Sequence, residues 1–243
     1  MEYSGHIEEI KLGKITYCCV DLNDESFKKI GDYIKALCAE LGIDVPYVSI
    51  SENLTDQKGN VYLGYTFHPK DWPVLDKPLV ILRTVYENIL NFETKNRIQK
   101  AGITVPVWRD MMFKCSILHE LRHIWQEKYH ANVYFQAVHN SYAHGKEVIN
   151  DRGEIDADAF AIAYESREYD LEMVASFFCK DEYNAREYSD GYSKRIDRAK
   201  ELLEKERNEH MDHKQESMIN QNISEEKNET SFFSRLLSRV FNR

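Results

Sequence analysis

The sequence predicts an α+β fold, and three observations carry that prediction. Short segments with strand patterning crowd into residues 15–85, and longer segments with helical spacing dominate from residue 88 onward. In addition, 42% of the 243 residues are apolar, enough to bury a sizeable core. With 15 Tyr and 11 Phe the chain is too rich in aromatics to be disordered over most of its length.

Each element has its own reason. Ile15 to Asp21, ITYCCVD, is rich in β-branched and aromatic residues and reads as a strand. Asn23 or Asp24 caps the helix that follows, where Phe27, Ile30, Ile34, Leu37, Cys38 and Leu41 recur at helical spacing. Gly42 sits where its stop belongs. Tyr47 to Ser51 alternates as a second strand, residues 56–59 look like a turn, and Val61, Leu63, Tyr65 and Phe67 alternate along a third. Leu79 to Val85 is a fourth strand, and Asn88 to Ala101 a helix.

The strongest helix runs from Val107 to about Tyr129, with Met111, Met112, Cys115, Leu118, Ile124 and Trp125 among its apolar residues. A polar, aromatic-rich connection from His130 to Arg152 comes next. Gly153 then precedes a helix from Glu154 to about Glu165, and further helices cover Leu171 to Phe178 and Arg186 to Arg207. The reading is one domain over residues 1–207 and a flexible polar linker over 208–230, where apolar residues are too sparse to offset ordering entropy. Residues 231–243 regain amphipathic spacing. Phe232, Phe233, Leu236, Leu237 and Val240 share one face, edged by Arg235, Arg239 and Arg243. Such a segment docks on its own domain, or makes weak contact with a membrane surface or a partner's groove.

Bulk properties exclude some functions. The net charge of −9 disfavours a nucleic-acid binder, since phosphate neutralisation needs clustered Lys and Arg. Five cysteines in no recognisable spacing, mostly within apolar runs, read as small buried residues in a reducing compartment. The first fourteen residues are polar and charged, unlike a signal peptide, and no apolar run is long enough to span a bilayer. The expectation is a soluble, cytoplasmic protein.

The chemistry is concentrated in HELRH, His119 to His123, inside the strongest helix. Residues four apart lie on one helix face, so two imidazoles can bind one tetrahedral Zn²⁺. Glu120, beside the first ligand, is placed to take a proton from a metal-bound water. A catalytic zinc needs a third protein ligand and one open position. The run GEIDADAFAIAY sets Glu154 and Asp158 one turn apart, with Asp156 pointing elsewhere. Glu154 can reach the metal, and Asp158 can accept the second ring N–H of a ligating histidine. Ala157, Ala161 and Ala163 are small enough for this helix to approach its partner closely.

A bare His-Glu-x-x-His pattern also occurs on ordinary helix surfaces. The apolar flanks Ile117, Leu118, Ile124 and Trp125, and a carboxylate-bearing helix some thirty residues downstream, argue against that here.

HELRHIWQ followed by EIDADAFA resembles the gluzincins, particularly the minimal gluzincins and the ImmA/IrrE-like peptidases, over roughly Leu79 to Phe178. The resemblance implies a zinc metallopeptidase with His119, His123 and Glu154 as ligands, Glu120 as general base and Asp158 behind a histidine ligand. It also implies a zincin-like fold, in which a small mixed sheet lies against the His-Glu-x-x-His helix. Arg122 departs from the pattern, which prefers an uncharged residue there, and is expected to face solvent or substrate. No further His-x-x-Gly-x-x-His extension follows His123, which argues against a metzincin.

Hydrolysis of a peptide or protein substrate also needs a donor for the developing oxyanion. Tyr142, His139, His144 and Tyr164 are the candidates. His130 and Trp125 read as core support, and Arg83 has no assigned role. The alternatives to a peptidase are a regulatory or binding protein on the same scaffold without turnover, and an adaptor recruited through its tail. His and carboxylate ligands also admit divalent metals other than zinc.

Overall fold

Ile10 and Leu12 are buried while their neighbours Glu9 and Lys11 are exposed, and this alternation forms strand β1 (His6–Leu12). The expected strands begin only at Ile15, so β1 is an addition. Its hydrophobic stripe is just two residues long and interleaved with charge. A two-residue turn led by Gly13 joins it to β2 (Ile15–Val20), pairing Leu12 with Ile15. The computed structural model describes residues 6–52, 54, 62–84, 86, 90–141, 151–182 and 191–209, and their side chains except at 6–7, 133–141 and 180–182.

Helix α1 (Lys28–Leu41) buries Ile34, Leu37 and Cys38, and Gly42 ends it in the left-handed conformation at φ 64°. Its N-cap is Phe27 rather than Asn23 or Asp24, whose neighbourhood forms turns instead. The Gly42 carbonyl accepts hydrogen bonds from Lys128 Nζ and Tyr129 Oη, both at 2.7 Å. Strands β3 (Tyr47–Ser51), β4 (Gly64–Phe67) and β5 (Leu79–Arg83) follow. The expected turn at 56–59 lies outside the described residues. The sheet is mixed, in the order β1-β2-β3-β5-β4. β3 and β5 are parallel and the other pairs antiparallel. β5 is buried throughout, Arg83 included, and β1 and β4 are the edges among the described residues.

Helix α2 (Phe92–Lys100) starts later than expected, because the Asn91 side chain caps it by accepting from the Thr94 N–H at 2.8 Å. Helix α3 (Val105–Ser141) outruns the expected end near Tyr129. One non-helical residue, His130, breaks it, and helical backbone resumes where a connection was expected. His130 is exposed and lies tilted against half-buried Trp125, ring centroids 4.6 Å apart, so it marks a kink rather than supporting a core. Asp151 caps α4 (Arg152–Glu165) through the Gly153 N–H at 2.7 Å, which places Gly153 inside the first turn. Helix α5 (Leu171–Glu182) follows.

The chain divides into two units, Met1–Lys200 and Glu201–Arg243. Residues 191–200 of the first unit are helical and are labelled α6; the described residues of the second, 201–209, are helical as well, and the expected start at Arg186 lies outside the described residues. Beyond 209, the linker and the amphipathic segment 231–243 lie outside the described residues. No described helix is long and apolar enough to cross a membrane. Cys18 is exposed, and Cys19, Cys38, Cys115 and Cys179 are buried as free thiols.

Helix α3 is the hub of the first unit. It contacts α4 most extensively, and also β4, β5, α1, α2 and α5. Trp108, Met111, Met112, Cys115, Leu118 and Leu121 are buried along it. A smaller cluster of Ile10, Leu12, Cys19, Leu75, Leu79 and Ile81, with Phe67 packed against it, serves the sheet. Strand alternation then turns Gly64 and Thr66 away from Phe67, toward α3.

Candidate metal centre

His119 and His123 lie one turn apart on α3 with their rings edge to face, centroids 4.6 Å apart. Their Nε2 atoms are 2.9 Å apart. Glu154, in the first turn of α4, spans both, with Oε2 3.4 Å from His119 Nε2 and Oε1 3.5 Å from His123 Nε2. One ligand atom from each residue falls within 4.8 Å of the others. Tetrahedral ligands at about 2.0–2.1 Å from an ion stand roughly 3.3 Å from one another, so this spacing fits a small divalent cation.

The hydrogen bonds behind the rings decide the tautomers. His119 Nδ1–H donates to Asp158 Oδ1 at 2.8 Å. His123 Nδ1–H donates to Gln126 Oε1 at 3.0 Å. The Gln126 orientation follows from its amide nitrogen, which donates to the Gly153 carbonyl at 2.9 Å and to Asp156 Oδ2 at 3.2 Å. With both Nδ1 atoms donating, the two Nε2 lone pairs face each other. A buried pair of lone pairs at that distance requires a proton or a cation between them.

Electrostatics agree. Burial opposes a charge on His119, but Asp158, Glu154 and Glu120 outweigh it and hold its pKa well above the ordinary histidine value. For His123, burial is likewise outweighed, by Glu154 and then Glu120. Burial would raise the Glu154 carboxyl, yet the two imidazoles bring it well below the usual carboxylate range. The pocket is built for positive charge between three side chains.

Glu120 is 5% exposed and sits under β4. Thr66 Oγ1 donates to Glu120 Oε2 at 2.5 Å. A Cβ on Gly64 would come 2.6 Å from Glu120 Oε1 and 2.7 Å from its Cγ, so only glycine leaves the carboxylate its place. The next residue on this face, His68, is buried and hydrogen-bonded through Nδ1 to Glu127, fastening the end of β4 to α3. Phe178 of α5 closes on the His119 ring, edge to face at 6.1 Å.

Asp158 is fully buried. Its Oδ1 serves His119, and its Oδ2 accepts from Arg195 Nε of α6. Burial works against its charge; Arg195 first and His119 next prevail and lower its pKa. Asp156 points away from the centre, as expected, and accepts from Arg122 Nε at 2.8 Å.

Arg122 corrects an expectation. It is 6% exposed rather than facing solvent or substrate, and its guanidinium lies 3.5 Å from the Trp125 ring centroid. An Arg is accommodated at this motif position because Asp156, on the next helix, neutralises it.

The structure thus brings together His119, His123, Glu154, Glu120 and Asp158, but not Tyr164. The Tyr164 hydroxyl bonds Glu40 Oε2 at 3.1 Å. Ten residues along α4 from Glu154 amount to about 15 Å of rise, too far for an oxyanion donor. The His139 side chain and all of Tyr142 and His144 lie outside the described residues. Gly64, Thr66, Gln126, Arg195 and Arg198 were not foreseen. Gln126 had a signal, three residues after His123 on the same helix face; Gly64 and Thr66 had only their shared strand face. Compared with protein-family models, with curated proteins and with solved structures, the chain matches none.

Proposed function

We propose that this chain is a zinc-dependent peptidase, with His119, His123 and Glu154 as metal ligands and Glu120 as general base. The observation that carries the reading is the convergence of two Nε2 lone pairs and one carboxylate on a single point, with both Nδ1 atoms already engaged. Three protein ligands leave a fourth position for water, as a catalytic zinc requires. The bound ion would lower the pKa of that water toward neutrality and polarise the scissile carbonyl.

The remaining work falls to the chain. Glu120 accepts the proton of the attacking water and passes it to the leaving amine. Thr66 and Gly64 hold its carboxylate, and Asp158 and Gln126 hold the ligand rings. A peptide is favoured as substrate because β4, which cradles Glu120, is an edge of the sheet among the described residues, where an extended chain can add by main-chain hydrogen bonds. The resemblance of HELRHIWQ and EIDADAFA to the gluzincins supports the same reading, and an α+β arrangement with a mixed sheet beside α3 suits it. A base seated this closely supports turnover over a scaffold that only binds.

Metal analysis and peptide hydrolysis test the proposal together. The purified protein should hold about one equivalent of zinc, and His123→Ala should lose it. Glu120→Gln should keep the metal and lose hydrolysis about 10²–10⁴-fold. Zinc retained by His123→Ala, or full activity in Glu120→Gln, overturns the assignment.

A further inference from the structure

Helix α6 reaches the metal centre through two arginines three residues apart on one helix face. Arg195 is 1% exposed and donates to Asp158 Oδ2, the oxygen that His119 does not use. Arg198 donates to Asp156 Oδ1 from Nε at 3.0 Å and from Nη2 at 2.8 Å. The other oxygen of Asp156 takes Arg122 Nε at 2.8 Å and the Gln126 amide at 3.2 Å, and that Gln126 accepts from His123. Two continuous chains therefore run from α6 to the candidate ligands. One is Arg195–Asp158–His119, and the other is Arg198–Asp156–Gln126–His123.

A carboxylate has two faces, and a buried one turns toward whichever donor is strongest. Each α6 arginine occupies the far oxygen of its aspartate, which leaves the near oxygen aimed at a histidine or its glutamine. Arg122 and Arg198 together neutralise Asp156, and Arg195 neutralises Asp158 behind the His119 ring. We propose that Arg195 and Arg198 are positioning residues for the metal ligands, orienting His119 and His123 from α6 through Asp158 and Asp156. Partners behind a ligand set ring orientation and ligand basicity, and their loss costs metal affinity. The α6 clamp extends that support one helix further from the ion. This inference rests on the metal-centre reading above.

The test is zinc affinity of the full chain, by competition with a chromophoric chelator, with Co²⁺ absorption as a second probe. Arg195→Lys keeps the charge and loses the fork; Arg198→Gln removes charge from a side chain 35% exposed. Binding is measured at a temperature where circular dichroism shows each variant fully folded. Both variants should bind zinc about 10-fold more weakly, with a shifted Co²⁺ spectrum, and Arg198→Lys should recover part of the loss. A purely architectural role would lower the melting temperature and leave both metal readouts unchanged, which would overturn the clamp. If Arg195→Lys does not fold, Arg198→Gln decides alone. Wild-type protein that binds neither ion defeats the metal centre and the clamp with it, whereas tight wild-type binding with indifferent variants defeats the clamp only.

Discussion

At the scale of single residues, the proposed metal centre depends on small side chains as much as on its candidate ligands. Gly64 is the clearest case. A methyl group there would overlap the Glu120 carboxylate, and that carboxylate can swing aside because it ends a flexible side chain. On the proposed function, Gly64→Ala should therefore fold and bind metal normally while misplacing Glu120. A loss of kcat of about 10-fold or more, with metal content unchanged, is expected, since misplacement by about 1 Å can cost 100-fold. Equal activity in the variant would show that Glu120 tolerates displacement and that β4 does not position it.

At the scale of elements, the important event is the docking of α4 on α3. Asp151 and the Gly153 N–H start α4, and its first two turns carry Glu154, Asp156 and Asp158 into the space beside the histidines. Ala157, Ala159 and Ala161 are wholly buried, so the helix is enclosed and its backbone approaches its neighbours closely. A larger residue there forces the helix outward. Ala161→Leu should destabilise the fold by about 1–3 kcal/mol in denaturant unfolding. It should also weaken zinc binding, because Glu154 rides on the displaced element. Unchanged stability would mean that α4 has room to spare.

The whole molecule carries a further buried acid away from the centre. Glu165, at the far end of α4, is 4% exposed and accepts from the Tyr33 hydroxyl of α1 at 3.4 Å. Lys114 of α3 opposes its protonation, while Glu168 and Asp110 favour it. Burial, the largest cause, outweighs Lys114 and the Tyr33 hydrogen bond and takes its pKa from 4.5 to about 7. The folded state thus binds a proton that the unfolded chain has released between those values. The Glu165 contribution is fully present below about pH 4.5 and is lost as the pH rises through about 7. Glu165→Gln should consequently stabilise the protein at pH 8, on the order of 2 kcal/mol, and change little at pH 4. Thermal melts at the two pH values check this, and equal effects at both would show that burial does not govern Glu165.

What the sequence determined by itself is what local periodicity encodes. Residues four apart share a helix face whatever the fold around them, so His119 with His123, and Glu154 with Asp158, were legible as pairs before any packing was known. The strand over 47–51 and the stop at Gly42 were legible for the same reason, that neighbours in sequence settle them. Only tertiary structure decided which nitrogen meets which carboxylate, because that depends on how far one helix slides and turns against another. It buried Arg122 by supplying Asp156, drew Tyr164 away to Glu40, and brought Arg195 from more than thirty residues downstream to the back of Asp158. Such contacts have no period to read. Each exists because a charge removed from water has to find its partner wherever docking of the helices has put one.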